Sequence, residues 1–174
     1  MVALAATEER IVGKRNRRKT SWLAATAFAT ADTVLAANTL GQTTILAGNT
    51  LSAEEVTLAR ILGDFKIQNT SGAESITYIG VCLEDSRLPV ANSKNPRTEA
   101  DDEDWLWWRA FALPSGGTVG PGNVYGAGGG VGGLGIDIRA RRRWPVLDRD
   151  LRFKIISNGA VDYFQACRVL VYLP

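Results

Sequence analysis

The 174-residue sequence contains no histidine, which removes the commonest general base, the commonest metal ligand and the usual physiological pH switch. It has only two cysteines, Cys82 and Cys167, far apart and without C-x-x-C spacing. That composition excludes a zinc site or a disulfide framework. Both thiols lie in apolar, strand-like runs, which predicts two small buried core residues. No apolar run approaches the roughly 18 residues that a membrane-spanning helix needs. The opening Met1-Val2-Ala3-Leu4-Ala5-Ala6 is too short for a signal-peptide core, and its positive charges follow the apolar stretch. The expectation is a protein that is not exported.

Chemical motifs are scarce as well. The glycine run Gly128-Gly129-Gly130-Val131-Gly132-Gly133 is followed by neither Lys-Ser nor Lys-Thr, and a strand pattern rather than a helix comes next, so phosphate-cradling loops lose their context. Serines and threonines have no histidine partner and no S-x-x-K occurs, which argues against nucleophilic catalysis. The acidic block Glu99-Ala100-Asp101-Asp102-Glu103-Asp104 offers oxygens to a hard cation, yet lacks the EF-hand pattern. A solvated loop, or one that pairs with a basic surface on a neighbouring subunit, is the preferred reading. The chain is expected to be a non-enzyme with no cofactor and no metal.

What the sequence does contain points to strands. A hydrophobic fraction of 45% and a charged fraction of 22% fit one globular domain with an arm. Residues 1–21 form the arm, ending in Lys14-Arg15-Asn16-Arg17-Arg18-Lys19. Such a block repels itself; it serves either as a solvated terminus or as a nucleic-acid contact through counterion release. Lys14, Arg15, Arg17, Arg18 and Lys19 are the candidate nucleic-acid residues. Residues 22–174 form the second unit.

Within it, Thr33–Leu40 is echoed eleven residues on by Thr44–Leu51, each copy a few strand residues ending in an Ala/Gly-Asn turn. Ile61, Gly63, Phe65 and Ile67 alternate with Asp64 and Lys66, the period of a half-buried strand. Only residues 50–62 carry a trace of helical spacing. Ile76–Leu83 is apolar on both faces and reads as a central strand. Asn69-Thr70-Ser71-Gly72 before it predicts a hairpin. Trp105–Leu113 holds three of the five tryptophans. The glycine-rich stretch 115–135 reads as a flexible loop. Ile136, Ile138 and Ala140 alternate with Asp137, Arg139 and Arg141; Leu151–Ile155 does the same with Arg152 and Lys154. Tyr163–Leu173 is apolar on both faces and belongs mid-sheet, after a turn at Ser157-Asn158-Gly159. About eight strands at these intervals predict an all-β sandwich or barrel.

The Ala37-Asn38-Thr39-Leu40 turn ahead of Leu58-Ala59-Arg60-Ile61-Leu62-Gly63, the run into Asp104-Trp105-Leu106-Trp107-Trp108, and Ile136–Arg142 leading to Arg168-Val169-Leu170 together resemble small virion structural proteins of bacteriophages and uncultured small microbial viruses. The resemblance spans roughly residues 33–174. It implies a single jelly-roll β-sandwich of about eight antiparallel strands that packs with copies of itself into a capsid, assembled in a host cytoplasm. The basic arm would face packaged nucleic acid, although it is short beside the arginine-rich arms of many coat proteins. Trp105, Trp107, Trp108, Arg139, Arg141, Arg142 and Arg143 become candidate subunit-interface residues. No membrane partner is implied. Two rivals stand beside the capsid reading: a decoration, cement or tail-associated protein that binds other virion proteins, and a nucleic-acid-binding β-barrel.

Overall fold

The computed structural model describes residues 20–25, 33–51, 53–99, 103–119 and 134–172, with backbone alone for 20–25, 64, 134–136 and 166. The strands are β1 (Thr20–Ala25), β2 (Thr33–Leu35), β3 (Leu40–Leu46), β4 (Glu55–Asn69), β5 (Ser75–Asp85) and β6 (Trp105–Leu113). They are followed by β7 (Thr118–Val119), β8 (Leu134–Ile138), β9 (Arg142–Pro145), β10 (Arg149–Ser157) and β11 (Val161–Tyr172). Two single 3-10 turns, Gly48–Thr50 and Val90–Asn92, interrupt the connections. The trace of helical spacing at 50–62 is overruled: Glu55 onward is extended within β4.

Eleven segments fill eight strand positions. β1 and β2 lie along successive stretches of one side of β11, and β7, β8 and β9 lie along successive stretches of the far side of β4. One sheet therefore runs β1/β2–β11–β4–β7/β8/β9, and the other runs β3–β10–β5–β6. Counted by position, first pairs with eighth, second with seventh, third with sixth and fourth with fifth. Rolling that long hairpin adds the β11–β4 and β10–β5 pairs. This nesting of antiparallel strands across two sheets is the jelly roll. The all-β sandwich expected from the alternation is what the chain forms.

The period-2 pattern explains the core directly. Ile61, Phe65 and Ile67 of β4, Val169 and Val171 of β11, Ile79 and Val81 of β5, and Leu151, Phe153 and Ile155 of β10 are all fully buried between the sheets. β11 is interior, as its two apolar faces predict. Cys82 and Cys167 are both buried, and no disulfide joins them. Burial, with Glu84 nearby, pushes the Cys82 thiol up to about 12. Native protein at pH 8 is therefore expected to react with no aromatic disulfide reagent, and unfolded protein to release both thiols. A fast-reacting native thiol would refute this assignment.

The expected hairpin at Asn69–Gly72 is not formed. β4 and β5 belong to different sheets, and residues 70–74 turn a corner between them. Asn69, fully buried, knots that corner. Its Nδ2 donates to the carbonyls of Ala73, Leu113 and Pro114, while its Oδ1 accepts from the Ser71 amide and hydroxyl. The Ser157–Gly159 turn crosses between the sheets at the same end, and Thr70 N donates to Ala160 O at 2.9 Å. Turn residues show where a strand stops; they do not reveal which sheet receives the next one.

Candidate functional site

Strand β6 is the outermost strand of its sheet, and no described strand lies along its other side. Its register with β5 alternates the side chains. Trp107, Phe111 and Leu113 stand opposite Val81, Thr77 and Ser75 and turn toward the core. Trp108, Ala110 and Ala112 stand opposite Gly80, Tyr78 and Ile76 on the outer face. Trp108 and Ile76 are each 42% exposed, and Ala110 and Ala112 are exposed as well. Arg109, at mid-strand, is exposed, and its guanidinium carbon lies 5.9 Å from the Trp107 ring centre, a cation–π contact.

The three tryptophans singled out from sequence thus part company. Trp105 is buried and donates its indole N–H to Glu99 O at 2.7 Å. It lies over Gly80, where a Cβ would come within 2.4 Å of its ring; only glycine leaves that room. Trp107 is half-buried and stacks on Phe65 with ring centres 6.2 Å apart. Trp108 alone is presented outward.

Beside this edge lies an ionic layer that the sequence pattern conceals. Asp150, Arg152 and Lys154 alternate with Leu151, Phe153 and Ile155 along β10 and face away from the core. The alternation is as expected, but solvent exposure is not: Arg152 is 4% exposed and Lys154 0%. The long connection from β5 to β6 folds back over the sheet as a strap. Arg152 donates to the Ser86 and Leu88 carbonyls, Ser93 Oγ to Gln42 Oε1, and Arg97 to Asn38 Oδ1. Glu84, 1% exposed, sits at the centre and accepts from Lys154 Nζ, Arg152 Nη1 and the Lys94 amide. Burial pushes its carboxyl up, but the hydrogen bonds and charges of Lys154, Lys94 and Arg152 outweigh that and hold it below the usual glutamate value.

The acidic block feeds the same strap. Asp104 is partly buried and pairs with Lys94 at 3.0 Å and Arg149 at 2.7 Å, so this carboxylate is engaged within its own subunit. Ala100, Asp101 and Asp102 lie outside the described residues. Among the described residues no group of three or more Cys, Asp or Glu side chains is placed to hold a metal ion. A cleft of about 620 Å³ opens between the strap and the 38–40 turn, lined by Asn38, Leu40, Val90, Asn95 and Ile156 among others.

The arginine cluster forms a corner at the opposite sheet's edge. The alternation predicted through Arg141 holds, with Ile138 buried, Ala140 packed against the core and Asp137, Arg139 and Arg141 exposed, although β8 itself ends at Ile138 and Arg141 takes a φ of 44° before β9 begins. Arg139, Arg141, Arg142 and Arg143 are all exposed. Arg143 donates to Glu55 at 2.9 Å, and Asp137 is bound in a fork by Arg60 at 2.6 and 2.7 Å. These pairs are solvent-accessible and contribute little to stability. Lys14, Arg15, Arg17, Arg18 and Lys19 lie outside the described residues; β1 begins at Thr20, two residues inside the span assigned to the arm.

Among the described residues no helix is long and apolar enough to cross a membrane. No protein-family model matches the chain, and no curated protein matches it. The fold and the surface define the class, an all-β jelly-roll sandwich that, among the described residues, has an unpaired apolar edge at β6 and a cationic corner.

Proposed function

We propose that this chain is a virion structural protein, a coat subunit that builds a closed shell from copies of itself, with residues 1–19 turned toward packaged nucleic acid. Jelly rolls serve viral capsids and lectins alike, so the fold by itself does not choose. The observation that carries the reading is the β6 edge. Natural sheets guard their edges with charged side chains (lysine above all), proline, bulges or a covering segment; Trp105–Leu113 carries a single charge, Arg109, and neither lysine nor proline, and an exposed Trp108 lies along it. A strand left in this state suits pairing with another molecule. The exposed arginines at the second edge, and the five cations at 14–19, suit contacts with anionic partners.

Purified protein is expected to form closed homomeric particles, visible by negative-stain microscopy and light scattering. A strictly monomeric species at high concentration would overturn the reading. Deleting residues 1–19 is expected to release co-purifying nucleic acid or broaden particle size. A chain that stays small, yet adds to preformed particles of another virion protein, would instead be a decoration protein.

A further inference from the structure

We infer that β6 pairs antiparallel with β6 of a second copy, about a two-fold axis at Ala110, fusing two four-stranded sheets into one of eight. This names the partner of the edge on which the coat reading rests. A two-fold axis perpendicular to the sheet keeps inner faces with inner faces, so it must pass through a residue and not between two. Four centres are then available near mid-strand: 108, 109, 110 and 111.

Three observations select Ala110. First, the register of β6 with β5 is unbroken from Trp107 to Leu113, and a bulge displaces it between Val81 and Cys82. Ala110 is the midpoint of that regular stretch, and Pro114 beyond it has no N–H with which to extend the ladder. Second, size alternates correctly. Trp108 of one copy falls opposite Ala112 of the other and reaches across that small side chain toward its Ile76, one strand further on and about 10 Å away, so the two 42%-exposed side chains of this face cover each other. Ala110 meets Ala110, leaving room for both indoles; a centre at 108 would set Trp108 against Trp108. Third, Arg109 falls opposite Phe111 of the second copy, a cation–π neighbour. A centre at 109 would instead oppose two guanidiniums.

Seven paired residues span about 23 Å. At two sheets' depth, roughly 20 Å, the contact covers on the order of 500 Å² per copy, less than the ~800 Å² of a standard stable interface. The pair is therefore weak and concentration-dependent in isolation, as suits a contact repeated in a larger particle. Because it consumes the edge it uses, it closes at two copies and does not propagate as a fibre.

The register sets the test. In Ala110→Cys the two new thiols face each other across the axis within disulfide reach, and mild oxidation is expected to give a covalent dimer. In Ala112→Cys the equivalent thiols are about four residues apart along the strand, ~13 Å, and no such dimer is expected. An equimolar mixture of Ala112→Cys and Trp108→Cys chains should cross-link in heterodimers. Ala110→Lys is expected to weaken self-association on the order of 100-fold by opposing like charges, with an unchanged melting temperature at concentrations where the subunits are dissociated, because Ala110 is exposed. If wild-type protein assembles while Ala110→Cys fails to cross-link and Ala110→Lys assembles normally, the β6 pairing is wrong and the coat reading stands. If Ala112→Cys cross-links and Ala110→Cys does not, the register is wrong. A wild-type chain that never self-associates overturns both.

Discussion

Glu84→Ala is expected to cost about 3–5 kcal/mol of folding stability, because it leaves Arg152 and Lys154 buried without their shared carboxylate. The two cations are 4% and 0% exposed, so water cannot replace the lost partner. Asp150 still accepts from Arg152 at 3.3 Å and Gln42 from Lys154, but neither substitutes for a carboxylate bonded to both. The measurement is a urea midpoint at a concentration where subunits are dissociated, since assembly would itself add apparent stability. A loss below about 1 kcal/mol would show that the strap lifts and admits water. Glu84→Leu combined with Lys154→Met should recover part of the loss, because Lys154 no longer lacks a partner, while Arg152 keeps only Asp150 at 3.3 Å.

The same layer fixes the acid response. Glu84 and Asp104 both titrate below their ordinary values in the fold, Asp104 because Lys94 and Arg149 together outweigh its partial burial. The native state then holds fewer protons than the unfolded chain as pH falls through the carboxylate range. The stabilisation is full above that range and is lost progressively from about pH 4 downward. With no histidine in the chain, no side chain of ordinary pKa changes charge between pH 5 and 8, so a stability profile that is flat there and falls in acid is expected. Glu84→Gln should flatten part of the acid limb.

Phe153→Ala is expected to remove about 3–5 kcal/mol through a cavity at the centre of the sandwich. Phe153 is fully buried. Its ring lies 4.7 Å from that of Phe65 and 5.9 Å from that of Tyr163, and Phe65 stacks in turn on Trp107. Four rings, from β11, β10, β4 and β6, thus run through the core and tie the two sheets together. Phe153→Leu keeps most of the volume and should cost clearly less. Equal losses in the two variants would argue that ring stacking, not cavity volume, dominates. Phe153 and Lys154 are neighbours on one strand, so these substitutions probe the two layers that cover the opposite faces of a single sheet.

How far the sequence reaches can be judged from particular strands. Alternation in β4 and β10 placed Phe65, Phe153 and Ile155 on the buried side, and the double-sided apolar run of β11 placed it inside a sheet, because period-2 patterning is a local property. Asn38 sits at a φ of 56°, in the left-handed region that its turn chemistry allows. The arginine alternation holds through Arg141 and stops there, where one extra residue between β8 and β9 re-aims the chain and leaves Arg142 exposed as well. Trp105, Trp107 and Trp108 looked equivalent in sequence, yet Trp105 is covered by its own strap connection and Trp107 by Phe65.

Local patterning settled that this is a β protein, where its strands lie and which of their faces are apolar. Only the tertiary structure decided which sheet each strand joins, that β6 is an edge, and that Arg152 and Lys154 are buried and not solvated. The reason is physical: every strand pairing joins residues distant in sequence, even the nearest, β5–β6, and the cover over the ionic layer is a connection whose path depends on groups from three separate strands. A residue's neighbours along the chain set its direction; what waits in that direction is set by chain segments far away.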